Sequence, residues 1–443
     1  MKISLFLVFL LSSSFLYTQS WNKVISNAEV IAVDSKLNQV WAATDNNGVF
    51  YLNKNSGIWR NYTSENGYMV TNSTDGLVIA AGKVFIASTY GIYYCGINGN
   101  NWGHYVLPGG YMPNWIRAVA DDDTVVWFGT FQGIATYSKN SASFKTYNIT
   151  KNSDGSTNNI TTIHVTPNEV WFGTENGVQV YKKGLNITAD SSRFLYNKQN
   201  GFDNLSQYIS VKAIAVQDTI VWIGLEDYTP ASNPNYCKGG LYRFNRNANV
   251  WQRFDKSTGL SGNGIHFIRI NSDSLIAGLF TYINGVSFTG NGLLKMNTAN
   301  LNTQIINYSS HGVGDSNYFD LRTLDNELWL AAGDGLYTTY DTTATSVENN
   351  YDLPDNFVLY QNYPNPFNPE TIISFHLPAN THVSLKLFDI LGNEIAQLVD
   401  ETIQAGLQNY RLTSHNHQLS AGVYFYQLRA GDLISTKKMI LLK

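Results

Sequence analysis

Cysteine is nearly absent: Cys95 and Cys237 are the only two in 443 residues. They lie far apart in the chain, so no disulfide is expected between them, and two lone thiols make no metal site. Charge is scarce too. Charged side chains are 14% of the residues and the formal net charge is -4, which leaves no basic stripe for a nucleic acid to follow. After the first residues no apolar run reaches the length of about 18 that a membrane-crossing helix needs, so no transmembrane segment is expected in the mature chain. Aromatic residues, by contrast, are abundant at 14%. A core of packed rings, not cross-links, must hold this chain together.

The segment "VWFGTENGVQVY" at Val170 to Tyr181 nearly duplicates "VWFGTFQGIATY" at Val126 to Tyr137. Further copies are "VWAATDNNGVFY" from Val40, "VFIASTYGIYY" from Val84, "VWIGLEDY" from Val221, "LIAGLFTY" from Leu275 and "LWLAAGDGLYTTY" from Leu328. Their starts are 44, 42, 44, 51, 54 and 53 residues apart, the length of a propeller blade of four short strands. Alternating β-branched and aromatic residues, broken by Gly and Asn, fit a helical solenoid worse. The expected fold is all-β: a seven-bladed β-propeller over 21–343, a linker over 344–356 and an immunoglobulin-like β-sandwich over 357–443.

Each repeat reads as strands a to d. Strand b ends in a small residue (Ala43, Ala87, Gly129, Gly173, Gly224, Gly278 or Ala332), which lets backbones approach near the ring axis. The Trp two places earlier in most copies is expected to fill the space between sheets. Strand d carries an aromatic or apolar pair, as in "WRNY" at Trp59 and "WQRF" at Trp251. The seventh copy lacks one. A missing outer strand would expose an edge, and "SWNKVI" at Ser20 to Ile25 stands unclaimed before the first strand a. Residues 21 to 25 are therefore expected to pair with strand c of the last blade and close the ring.

Ahead of that strand, residues 1–20 have Lys2, an apolar run from Ile3 to Leu10 and small residues Thr18 and Ser20 near the end. This is the pattern of a secretory signal peptide, cleaved between Thr18 and Trp21.

After Asp341 the composition turns polar, and then "TIISFHLP", "VSLKLFDI", "NYRLT", "GVYFYQLRA" and "TKKMILL" alternate between Pro, Gly and Asn turns, as strands of a β-sandwich do. The stretches "YPNPFNPETIISFHLP" (Tyr363 to Pro378), "LFDILGNEIAQLV" (Leu387 to Val399), "LSAGVYFYQLRAG" (Leu419 to Gly431) and "STKKMILLK" (Ser435 to Lys443) resemble the C-terminal sorting domain of the type IX secretion system. That resemblance implies transport through the periplasm and across the outer membrane of a Gram-negative bacterium of the Bacteroidetes and Chlorobi kind. It implies the type IX secretion machinery as partner, and a mature protein secreted or held on the outer cell surface. Recognition in that family lies in the last strand, here Thr436, Lys437, Lys438 and Met439. Less specifically, the repeats resemble the propeller units in extracellular sensor regions of two-component regulators. Those sensors continue into a transmembrane helix and a kinase, so signalling by this chain itself is not expected.

No Ser, His and acid arrangement, no phosphate-cradling glycine loop and no sialidase-type Asp box appears. No cofactor, metal or catalytic residue is assigned. The "DDD" at Asp121 to Asp123 falls between strands a and b, where the other copies also place turn residues. His415 and His417, at i and i+2 of an extended stretch, lack a third ligand, and His164 is expected to be a packed or edge histidine. Glu175, Glu226, Asp227 and Asp334 are the carboxylates from which a catalytic pair would have to come. The face formed by b to c and d to a loops is the better place for function. Tyr90, Phe131, Tyr111, Trp115, Tyr228, Tyr236 and Tyr282 lie there, the last three on or beside long b to c loops of blades five and six. Rigid aromatics with Asn neighbours suit a glycan or a protein surface. The expected function is therefore an exported binding module. Two alternatives are an enzyme acting on extracellular polysaccharide and an orphan sensory propeller.

Overall fold

Alternation, β-branched residues and frequent Gly and Asn turns favour short strands over any other regular structure. The computed structural model describes residues 20–339 and 357–442 apart from 152–153, 204, 231, 234, 284–286, 325–326, 360–361, 363–364, 378–379, 405, 418 and 432. Most of the expected leader (1–20), like the linker (344–356), lies outside the described residues. The chain forms two compact units.

The first unit holds seven four-stranded antiparallel sheets. Six use consecutive strands: in the fourth, strands a to d are Ile160–Val165, Glu169–Thr174, Gly177–Lys182 and Arg193–Tyr196. The seventh takes Tyr318–Leu324, Glu327–Ala332 and Gly335–Thr338 from its own repeat and Asn22–Ser26 from the start of the ring. Asn22 pairs with Thr338, Lys23 with Tyr337 and Ile25 with Leu336, so the ring closes as the unclaimed strand predicted. Trp21 is 8% exposed and shares a cluster with Phe267, Tyr308, Leu321 and Tyr337. The Lys23 ammonium meets Asp334 at 2.7 Å and lies over the Tyr337 ring.

The core lies between neighbouring sheets. Trp41, Trp171, Trp222 and Trp329 are fully buried and Trp127 nearly so, which makes them packing residues. The small residue that ends strand b has a concrete cause. A Cβ on Gly224 would stand 2.5 Å from Cβ of Ile265, and one on Gly129 would stand 2.6 Å from Cγ2 of Ile160. Ile160 and Ile265 belong to the inner strands of the following blades, so at these two positions only Gly lets one blade seat against the next. Trp171, Val178 and Val180 of the fourth sheet accordingly pack with Val211, Ile214, Val221 and Tyr242 of the fifth.

The b to c segments of blades five and six differ from the expected long loops. Strands b and c continue through them as Ile220–Tyr228 with Cys237–Asn245, and as Ser274–Ile283 with Ser287–Asn297. Asp227 pairs with Lys238, Tyr228 with Cys237 and Tyr282 with Phe288. Cys237 thus sits on a strand, buried, and both cysteines are free thiols. Cross-strand pairing outweighed the Pro, Asn and Gly content that reads as loop.

The second unit is a sandwich of one three-stranded and one four-stranded antiparallel sheet. Ile373, Phe375 and Leu377 from one and Val383, Leu385, Leu387, Leu428, Met439 and Leu441 from the other fill the space between them. The terminal strand, Leu433–Leu441, pairs with Gly422–Ala430 along one edge. Along the other edge the Phe367 amide donates to the Ile440 carbonyl, the Leu442 amide to the Phe367 carbonyl, and the Ile440 amide to Asn365 Oδ1. The "NPF" of the repeated Pro motif therefore closes that edge at its C-terminal end.

Candidate binding face and axial channel

All seven inner strands carry a register shift near their start: six skip their second residue, between Val30 and Ala32, Thr74 and Gly76, Ile116 and Ala118, Ile160 and Thr162, Val211 and Ala213, and Tyr318 and Asp320, and the strand of blade six skips its third and fourth, between Ile265 and Ile268. Bulges re-aim a side chain. Here the skipped residues Ile31, Asp75, Arg117, Thr161, Lys212, His266, Phe267 and Phe319 all line one axial cavity of about 450 Å³. Since strand a begins where the d to a loop ends, this ring of side chains sits toward the expected binding face. None was picked out from sequence. The available signal was the second position of strand a, or the third in blade six, which is unremarkable in any single repeat.

Charges at this level are tied to one another. Arg117 donates to Asn159 Oδ1 at 2.8 Å and to Glu175 Oε1 at 3.3 Å. Lys212 lies 3.6 Å from Glu226, whose other oxygen accepts from the Ser210 hydroxyl at 2.7 Å. Burial would raise the Glu226 carboxyl, but Lys212, Ser210 and Arg117 outweigh it and hold it below the usual carboxylate range. Burial pushes Asp75 up to about 6 against the pull of the Trp115 indole and Arg117. It lowers His266 to about 3 despite a bond to Asn317, which leaves a neutral imidazole stacked on Phe280. Deeper in the channel, Asp320 takes Arg269 and Arg322 on its two oxygens. His164 lines the channel instead of packing into a sheet face, and burial with nearby Arg269 lowers it to about 4.

The seven aromatics expected on the binding face form two groups and one outlier. Tyr111 lies 6.1 Å from Trp115, Trp115 lies 4.9 Å from Phe131, and the Arg117 guanidinium covers Phe131 at 5.0 Å. A four-residue helix, Tyr111–Asn114, carries Tyr111 and leaves its ring mostly exposed; the Asn114 side chain ties the turn to Leu107 and Gly110. Tyr228 lies 5.4 Å from Tyr236 and 4.6 Å from Tyr282. Tyr208, which the sequence did not single out, joins this group 4.6 Å from Tyr236. Tyr90 stands with neither group: its carbonyl accepts from His104 Nε2, which stacks on Tyr93.

The four carboxylates are not gathered into one pair. Glu175 and Glu226 are ion-paired as described, Asp334 accepts from Lys23 and from the Tyr337 hydroxyl, and Asp227 stands on the blade-five hairpin with its carboxyl raised by burial. Asp121 is the last residue of strand a, opposite Val126, and bonds Lys139, while Asp122, in the turn, bonds Lys183. Ser414–His417 is a 3-10 turn and not an extended stretch, and no metal-binding cluster occurs among the described residues. In the terminal strand Thr436 and Lys438 are exposed and Lys437 is half-buried, whereas Met439 is fully buried in the sandwich core. Met439 can therefore contribute through packing only.

The fold and face define a β-propeller with an aromatic loop surface, followed by a separate β-sandwich. Residues 361–442 match the family of the secretion system C-terminal sorting domain. The chain therefore carries a type IX sorting domain, which sends it through the periplasm to the cell surface or beyond. No curated protein matches the chain. Among solved structures, an ancestral GH74 enzyme aligns with a TM-score of 0.51 at 15% identity, over 93% of this chain and 59% of that one. YCF48 bound to D1 peptide aligns with a TM-score of 0.50 at 10% identity, over 74% of this chain and 97% of that one. PorZ, an essential bacterial surface component of the type IX secretion system of Porphyromonas gingivalis, aligns with a TM-score of 0.48 at 13% identity, over 93% of this chain and 59% of that one. The chain thus spans about three fifths of the length of PorZ and of the GH74 enzyme. The likeness to the first two is one of fold, a β-propeller.

Proposed function

We propose that the ring is a ligand-binding module, displayed on the cell surface or released from it, whose binding face is the end formed by the b to c turns and d to a loops. The observation that carries this is the pair of solvent-reachable aromatic groups, Tyr111, Trp115 and Phe131 on blades two and three, and Tyr208, Tyr228, Tyr236 and Tyr282 on blades four to six. Rings fixed by neighbouring rings lose little freedom on binding and offer flat apolar area beside polar rims. That suits a sugar face or a protein patch.

Affinity electrophoresis through gels containing extracellular polysaccharides, alongside retention on immobilised cell-envelope protein, tests the reading. The wild-type chain is expected to be retarded by at least one of these, and a double variant Trp115→Ala, Tyr236→Ala to migrate freely. Equal mobility of wild type and variant throughout refutes it.

A further inference from the structure

The hairpins of blades five and six enclose an open cleft of about 420 Å³ lined by Asp227, Lys238, Lys256, Asn263, Tyr282 and neighbours. The sequence pattern accounts for its walls. Asp227 and Lys238 face each other across the extended blade-five hairpin, yet they close no ion pair. Lys256 projects from the short turn that follows strand d of the same blade, where Asp255 caps Lys256–Thr258. The Arg253 guanidinium bonds Asp255 and the Gly239 carbonyl, so its charge is spent within the wall. Neither lysine ammonium has an ion-pair partner among the described residues.

Asp227 is the unusual member. It is 4% exposed, and among the described residues its carboxylate accepts a single long hydrogen bond, 3.3 Å from the Tyr282 amide. A carboxylate has room for about four donors, and buried polar groups are normally satisfied. The remaining capacity faces a cleft in which the Tyr282 ring, braced 4.6 Å from Tyr228, forms one side. A carboxylate beside an aromatic wall is matched by adjacent hydroxyls on a ring with an apolar face. Two unspent ammonium groups against this one carboxylate leave a net positive charge, which a ligand carboxylate would balance.

We propose that this cleft is a subsite for a single acidic sugar, a pyranose whose hydroxyls donate to Asp227 while its carboxylate meets Lys238 and Lys256. The assignment rests on the binding reading of the same face and names its ligand class.

Saturation-transfer NMR on the full chain, with the methyl glycosides of glucuronic and galacturonic acid and of glucose and galactose as probes, tests it. At least one uronide is expected to bind more tightly than its neutral counterpart, with an affinity that falls as salt rises. Asp227→Asn is expected to weaken uronide binding about tenfold or more, and Lys256→Ala about threefold, in line with loss of a hydrogen-bonded charge and of an exposed one. Lys145→Ala, at an exposed position on blade three, should leave it unchanged. Lys256 is exposed, so its substitution leaves the fold intact and reads the site even if Asp227→Asn misfolds. Silence of both uronides, neutral glycosides binding as tightly as uronides, or uronide binding indifferent to both substitutions would each overturn the subsite. Silence with polysaccharide or protein retention intact refutes the subsite alone; silence with that retention also absent refutes both readings.

Discussion

Glu29, just before the first inner strand, shows how single residues at the ring's seam respond to pH. Burial pushes its carboxyl from 4.5 up to about 7, with Asp45 and Asp315 adding like charge. The folded state therefore binds this proton more tightly than the unfolded chain does. Its stabilising contribution is complete below pH 4.5 and is lost as pH rises toward 7. Over that window the melting temperature of the wild type is expected to fall relative to that of Glu29→Gln; parallel curves would show that Glu29 is not shifted. Gly224 makes the second argument at this scale. The added methyl of Gly224→Ala would overlap Ile265 of the next blade, and overpacking of this kind costs about 1 to 3 kcal/mol. Chemical denaturation measures it, and a variant as stable as wild type would mean the blades can shift apart at no cost.

At the scale of elements, the closing strand carries the sharpest expectation. Trp21 is buried among Tyr308, Leu321 and Tyr337, and its indole nitrogen has no hydrogen-bond partner among the described residues, so truncation loses packing and none of the described bonds. Trp21→Ala should cost about 3 to 5 kcal/mol, and removing Trp21 to Val24 should lower the melting temperature further by freeing the edge of Gly335–Thr338. Unchanged melting in both variants would mean the ring does not need this strand. Such closure could be read from sequence because a missing aromatic pair at one end and a spare Trp at the other are local signals repeated against six intact examples. The axial ring could not. Asp75, Arg117, Lys212 and His266 come from four different repeats, one residue from each, and become neighbours only after each strand bulges near its start. The blade-five and blade-six hairpins escaped for the opposite reason: their composition speaks for loops, and only pairing such as Asp227 with Lys238 extends the strands.

For the whole molecule, the question is how the sandwich and its final strand carry the ring out of the cell. The edge of Leu433–Leu441 is covered by the Asn365 to Phe367 segment near Ile440 and Leu442, while Thr436 and Lys438 stand exposed nearer its start. Buried and exposed side chains are thus divided along one strand: Met439 and Leu441 belong to the core, and Thr436 and Lys438 face solvent. Deleting Ser435 to Lys443 is expected to hold the protein in the periplasm, but that deletion also removes core residues and could act by unfolding the sandwich. Thr436→Ala combined with Lys438→Ala separates the two effects, because it keeps Met439 and Leu441 in place. If the exposed residues are read by the secretion machinery, this variant melts like wild type yet accumulates inside the outer membrane, where protease added to intact cells cannot reach it. Cleavage of the variant by external protease at the wild-type rate would locate recognition in the folded sandwich as a whole, not in these side chains.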